Sequence, residues 1–139
     1  GARIATLLMQ RVADIDAAVE QARPLLSEAG RRYRDKLLMR IERLDVEAQP
    51  ERLEQELAII AQRMDIVEEL DRLNSHTAEI RTIFGRDEPI GRRLDFLIQE
   101  LNREANTLSS KSQDEELTRI AVDLKVVIEQ MREQAQNLE

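Results

Sequence analysis

Between Gly91 and Ser112 the chain carries an unusual crowd of side chains able to hold ions or make directed hydrogen bonds: Arg93, Asp95, Gln99, Glu100, Asn102, Arg103, Glu104, Asn106 and Lys111. Wound as an α-helix, this stretch makes about six turns. A solvated helix face is ordinarily a loose mixture of Glu and Lys. Carboxylates, guanidinium groups and amides at this density point instead to a site, or to a polar interface buried between subunits.

The elements that must position these groups are helices. Leu94, Leu97, Ile98, Leu101, Ala105 and Leu108 form an apolar stripe. At 100° per residue, Arg93, Glu100, Glu104 and Lys111 line one shoulder of it, and Asp95, Gln99, Asn102 and Asn106 the other. In the preceding helix Asp65, Glu69, Arg72 and His76 line one shoulder of a stripe running through Ile66, Leu70, Leu73, Thr77, Ile80 and Phe84. Packing the two stripes together brings a shoulder of each to the seam. Glu69 and His76 then face either Glu100 and Glu104 or Asp95. Three carboxylates and an imidazole so placed form a cage suited to Mn²⁺ or Mg²⁺.

Blander readings of the same residues stay open. A lone His on a helix shoulder is more often a packing or surface residue. Glu100 and Glu104, one turn apart with Arg93, Arg103 and Lys111 near, equally suit a salt-bridged face. Asn102 and Asn106 disfavour a helix interior and ask for a hydrogen-bonding partner, which another helix supplies as well as a ligand. Phe96, beyond the stripe, suggests a second buried surface.

Composition bounds the rest. The 139 residues fit one modest core, and Tyr33, Phe84 and Phe96 are the only aromatics, so that core is aliphatic. Abundant Leu, Ala, Glu, Arg and Gln, with few Gly and Pro, predict an all-α chain. There is no cysteine, which excludes disulfides and thiolate metal sites and suits a cytoplasmic protein. Neither a membrane-spanning run nor a signal-peptide pattern is evident, so no membrane partner is expected. A net charge of −7 argues against free-standing nucleic-acid binding. It leaves room for a carboxylate-held cation, with positive charge supplied from elsewhere.

Along the chain, the periodicity predicts an elongated bundle of four to five long helices, as hairpins around a central one. Ile4, Leu8, Val12, Ile15, Val19 and Ala22 trace the first stripe. Pro24 should break or kink the helix there, giving segments 3–22 and about 25–44, the second continuing through Tyr33, Leu37, Ile41 and Leu44. Pro50 suits the first turn of a helix reaching Phe84. Within it, Leu53, Leu57, Ile60 and Met64 share a face turned by about 130° from the later stripe. The early half should therefore pack on the N-terminal helices and the later half on the two C-terminal ones. After a loop at 85–91, helices follow over about 90–110 and 113–138, the last opened by a capping box at Ser112–Glu115. Residues 1–49 thus form an N-terminal arm, and 50–139 a three-helix domain.

Three phrases carry a resemblance: Asp65-Ile-Val-Glu-Glu-Leu-Asp-Arg-Leu-Asn-Ser-His76, the Gly91–Ser112 run, and Ile128-Glu-Gln-Met-Arg-Glu-Gln-Ala-Gln-Asn-Leu-Glu139. Together, in this order, they resemble the C-terminal domain of the YicC family, over most of 53–139 and more loosely before it. The resemblance implies a metal-dependent endoribonuclease acting on RNA rather than DNA. It also implies an N-terminal half outside this chain and assembly into homo-oligomers. In such an enzyme His76 and Arg72 would join Glu100 and Glu104 as catalytic residues. Glu69, Glu100 and Glu104 would hold the metal, and Arg93, Arg103 and Lys111 would contact RNA. The alternative is a helical oligomerisation module with no catalysis of its own.

Overall fold

The computed structural model describes residues 2–43, 50–86 and 89–138, and among them every regular element is a helix. These are α1 (Ala2–Arg43), α2 (Pro50–Phe84), α3 (Gly91–Lys111) and α4 (Glu115–Gln136). Consecutive helices run antiparallel, and each packs against its two neighbours in the cycle α1–α2–α3–α4. The result is an up-down four-helix bundle. Leu44, the 45–49 connection and the side chain of Ile41 lie outside the described residues, as do positions 87 and 88 of the expected loop.

One aliphatic core runs through the bundle. Leu8, Val12, Ile15, Val19 and Ala22 of α1 meet Leu70, Leu73 and Ile80 of α2, Leu97 and Leu101 of α3, and Leu124, Ile128 and Met131 of α4. The later stripe of α2 therefore packs on α1 and α3, where the pattern alone set it against α3 and α4. The reason is that the first stripe of α1 is wholly apolar and must be buried as well, so α1 takes the fourth place in the bundle and α4 closes the cycle.

Pro24 does not divide α1, which is one helix of 42 residues with the proline inside. The missing N–H costs a backbone hydrogen bond. Val19 and Ala22 before the proline, and Leu25 and Leu26 after it, all pack on the core and hold the axis through it. Beyond this point α1 and the first turns of α2 outrun α3 and α4 and continue as a two-helix arm. There the early stripe of α2 is poorly covered: Leu57 and Met64 are exposed. Tyr33 and Arg40 of α1 join the arm by meeting Glu56 of α2.

The start of α4 differs from the expected capping box. Its N-cap is Asp114, whose carboxylate accepts from the Leu117 N–H at 2.9 Å. Ser112 instead donates to the Asp114 carbonyl and accepts from Thr118 Oγ1. Aspartate in the position immediately before the first turn outcompetes a serine two residues earlier. Asp114→Ala should cost about 1 kcal/mol of stability, read as a lower urea midpoint with unchanged slope, whereas Ser112→Ala should cost less.

Candidate metal centre

The α2–α3 seam brings the candidate residues together. Two ties fix its register: Arg93 of α3 pairs with Glu79 of α2, and Lys111 of α3 pairs with Asp65 of α2 at 2.7 Å. On the other side of α2, the Thr77 hydroxyl donates to Asp16 of α1 at 2.6 Å, and Arg81 pairs with the same carboxylate. His76 is thereby held on a helix clamped from both sides.

Between these ties His76, Glu100 and Glu104 converge, each offering one ligand atom, with all three atoms within 4.8 Å of one another. His76 Nε2 and Glu104 Oε2 are 3.4 Å apart. Glu104 is only 2% exposed, buried with Leu101, Ala105 and Leu108 of its own helix. Its position is deeper than the shoulder that periodicity assigned. Neither His76 Nε2 nor Glu104 Oε2 has a hydrogen-bond partner among the described residues, although both atoms are buried. Leaving such groups unsatisfied is costly, and native proteins rarely do so without a reason.

The charges follow from this environment. Burial, then repulsion from Glu100 and Glu69, pushes the Glu104 carboxyl up to about 7. Burial also lowers the His76 imidazole from its ordinary 6.5, opposed by Glu100 and Glu79 and assisted by Arg72 and Arg93. The 3.4 Å contact has the length of an ion pair, but an imidazole so depressed is neutral at pH 7, so no ion pair forms there. Both side chains direct a polar atom into the same small space.

The remaining candidates divide. Glu69 is buried and near enough to repel Glu104, yet it does not join the three-atom set; Arg72 Nη1 holds it at 3.3 Å. Arg72 also pairs with Glu68 and acts electrostatically on both His76 and Glu104. Arg93 sits at the edge, with its guanidinium 5.1 Å from the centre of the Phe96 ring. Arg103 is exposed and turned about 100° from Glu104. Lys111 lies about 10 Å further along α3, engaged with Asp65, so it is not brought to the cluster. Asp95, Gln99, Asn102 and Asn106 all face outward. Glu79, absent from the sequence-based set, lies one turn after His76; that i,i+3 spacing was the signal for it.

The donor set fits a divalent cation. Metal–ligand bonds of about 2.0–2.6 Å put two ligands of one ion about 3–5 Å apart, which matches the observed spacing. Carboxylates suit Mg²⁺ and Mn²⁺ alike, and an imidazole among them favours a transition ion such as Mn²⁺.

Comparison with known proteins agrees with the three phrases. Residues 19–139 match the family described as endoribonuclease YicC-like, C-terminal. The whole chain is 45% identical to a protein of Haemophilus influenzae named probable endoribonuclease YicC, of which it covers 48%. It is 39% identical to a protein of the same name from Clostridioides difficile, again covering 48%. The chain thus spans about half the length of these relatives. It belongs to the YicC-like endoribonuclease family and corresponds to the family's C-terminal part.

Proposed function

We propose that this chain is the metal-binding part of an endoribonuclease, with the His76–Glu100–Glu104 cluster as its cation site. The observation that carries this reading is the convergence of three ligand atoms at one seam, two of them buried without a hydrogen-bond partner. Family membership supports cleavage of RNA; we read the reaction as hydrolysis of a phosphodiester, in which water adds to phosphorus and one P–O bond breaks.

A cation bound here supplies Lewis acidity at a phosphoryl oxygen and lowers the pKa of bound water. Glu100 and Glu104 would be the anionic ligands, and the protonated fraction of Glu104 would have to be lost for it to serve as one. His76, kept neutral by burial, contributes the Nε2 lone pair. Arg72 holds Glu69 and offsets the carboxylate charge around the cluster. Arg93, at the edge of the cluster, and the exposed Arg103 are candidate phosphate contacts, whereas Lys111 is already committed to Asp65. The chain's charge of −7 means that most phosphate neutralisation comes from the rest of the protein or a neighbouring subunit. Action in the cytoplasm is part of this reading; separately, among the described residues no helix is long and apolar enough to cross a membrane.

Calorimetric titration of the chain with MnCl₂ at pH 7.5 tests the site. The expected result is one ion per chain, with affinity falling at least about tenfold in Glu100→Ala and in His76→Ala. Undiminished affinity in His76→Ala alone would make His76 a proton carrier rather than a ligand. No binding by the wild-type chain would remove the metal site and favour the non-catalytic oligomerisation module.

A further inference from the structure

One turn before Glu100 on α3 stands Phe96, whose side chain is 46% exposed. Leu94, Leu97, Ile98, Leu101 and Leu108 of the same helix are all buried, so Phe96 is the one large apolar residue of α3 left in water. A single exposed apolar side chain needs no partner in general. What sets this one apart is its surroundings.

Cations ring it. The Arg93 guanidinium lies over the Phe96 ring, 5.1 Å from its centre, and its Nε donates to Glu79 of α2 at 2.9 Å. The ring is thus backed on one face by a group anchored across the seam. Arg92 and Arg103 are exposed, lie within about 40° of Phe96 around the helix axis, and make no ion pair among the described residues. Glu100 lies about 40° to the other side, with its Cβ about 6 Å from that of Phe96, so the ring borders the metal cluster. We propose that Phe96 is the platform on which an unpaired RNA base stacks, beside the phosphate presented to the cation site. The inference rests on the reading of His76, Glu100 and Glu104 as that site, and assigns part of its contact with substrate.

The shape and charge of the patch favour a nucleotide over a protein surface. A nucleobase offers a flat π-face to a flat ring, and its flanking phosphates find Arg92 about 6 Å to one side along α3 and Arg103 about 10 Å to the other. A protein partner would need an apolar core to the contact, and α3 exposes no second large apolar residue to build one. Because every base has a π-face, the contact is indifferent to base identity. It does require the base to be unpaired, since in a duplex both faces are already stacked on neighbours.

Anisotropy of a labelled single-stranded RNA with the whole protein in EDTA, where cleavage does not intervene, reads the contact. Phe96→Leu should weaken binding about tenfold and Phe96→Trp should retain it, the size and pattern expected of one stacked base. Leucine keeps the position apolar, and unchanged helical circular dichroism would show that the fold is retained. Removing the base from one nucleotide at a time should weaken binding to the wild type at one position, at which Phe96→Leu no longer responds. In Mn²⁺ the loss should fall on KM, with kcat within about threefold of wild type. Phe96→Leu that binds the RNA as tightly as wild type overturns the proposal. So does weakened binding that comes with a changed mass in sedimentation, which would assign the ring to a protein interface. Tight binding in Phe96→Leu with cleavage lost in Glu104→Gln would sink this inference alone. Full cleavage in Glu104→Gln with the Phe96 effect intact would instead refute the cation site and uphold the stacked base.

Discussion

Glu104→Gln should lower metal-dependent RNA cleavage by the whole protein by about 10²–10³-fold while leaving the helical bundle intact. Glutamine has nearly the same shape as glutamate, so α3 packs as before. It cannot become an anionic ligand, and the cluster would be left with Glu100 as its one carboxylate. The fold should tolerate the change well, since the Glu104 carboxyl is held up to about 7 and the folded state already accommodates a neutral group there. Single-turnover cleavage in Mn²⁺, alongside circular dichroism, reads both effects. Cleavage within threefold of wild type in a folded Glu104→Gln protein would exclude this cluster as the catalytic metal site. By contrast, Glu69→Gln should lose much less, because Glu69 lies outside the three-atom set and is paired with Arg72.

In the absence of metal, the chain should lose stability as pH rises from about 5 to 8, and Glu104→Gln should remove most of that slope. The folded state raises the Glu104 pKa above its ordinary 4.5, so it favours the protonated form. The stabilisation is whole below about 4.5 and is lost as pH rises through about 7. The gap of about 2.5 pH units, at about 1.4 kcal/mol each, sets the full effect at about 3.5 kcal/mol. His76 works in the opposite sense: its lowered pKa costs stability as pH falls below 6.5, but its displacement is the smaller of the two. Urea denaturation in EDTA across this range measures the slope. Adding Mn²⁺ should restore stability more at pH 8 than at pH 5, because the ion binds the anion that the apo fold disfavours. Parallel pH curves for wild type and Glu104→Gln would show that Glu104 does not titrate in this window.

How far the site was legible follows from particular residues. The spacing of Glu69 and His76 on one helix, and of Glu100 and Glu104 on the next, placed each set beside a stripe that had to be buried. That was enough to bring His76, Glu100 and Glu104 to one seam. The same counting assigned Lys111 to the shoulder of Glu104, and azimuthally it belongs there. It ignored the rise of about 10 Å along the axis, which delivers Lys111 to Asp65. The polar crowd on α3 also divided: Glu100 and Glu104 turned to the seam, whereas Asp95, Gln99, Asn102 and Asn106 turned outward.

By itself, the sequence determined the helices, the stripes they bury and the family. Pro50 and Phe84 bound α2 as the pattern indicated, because proline and a glycine-rich loop are local signals acting on the backbone next to them. Tertiary structure decided how those helices turn toward one another. Periodicity fixes a side chain's angle about its own axis, but not which neighbour that angle will meet. A rotation of a few tens of degrees separates a solvated shoulder from a dry seam. Hence only packing could bury Glu104 and raise its pKa, and carry α1 through Pro24 to supply the fourth helix.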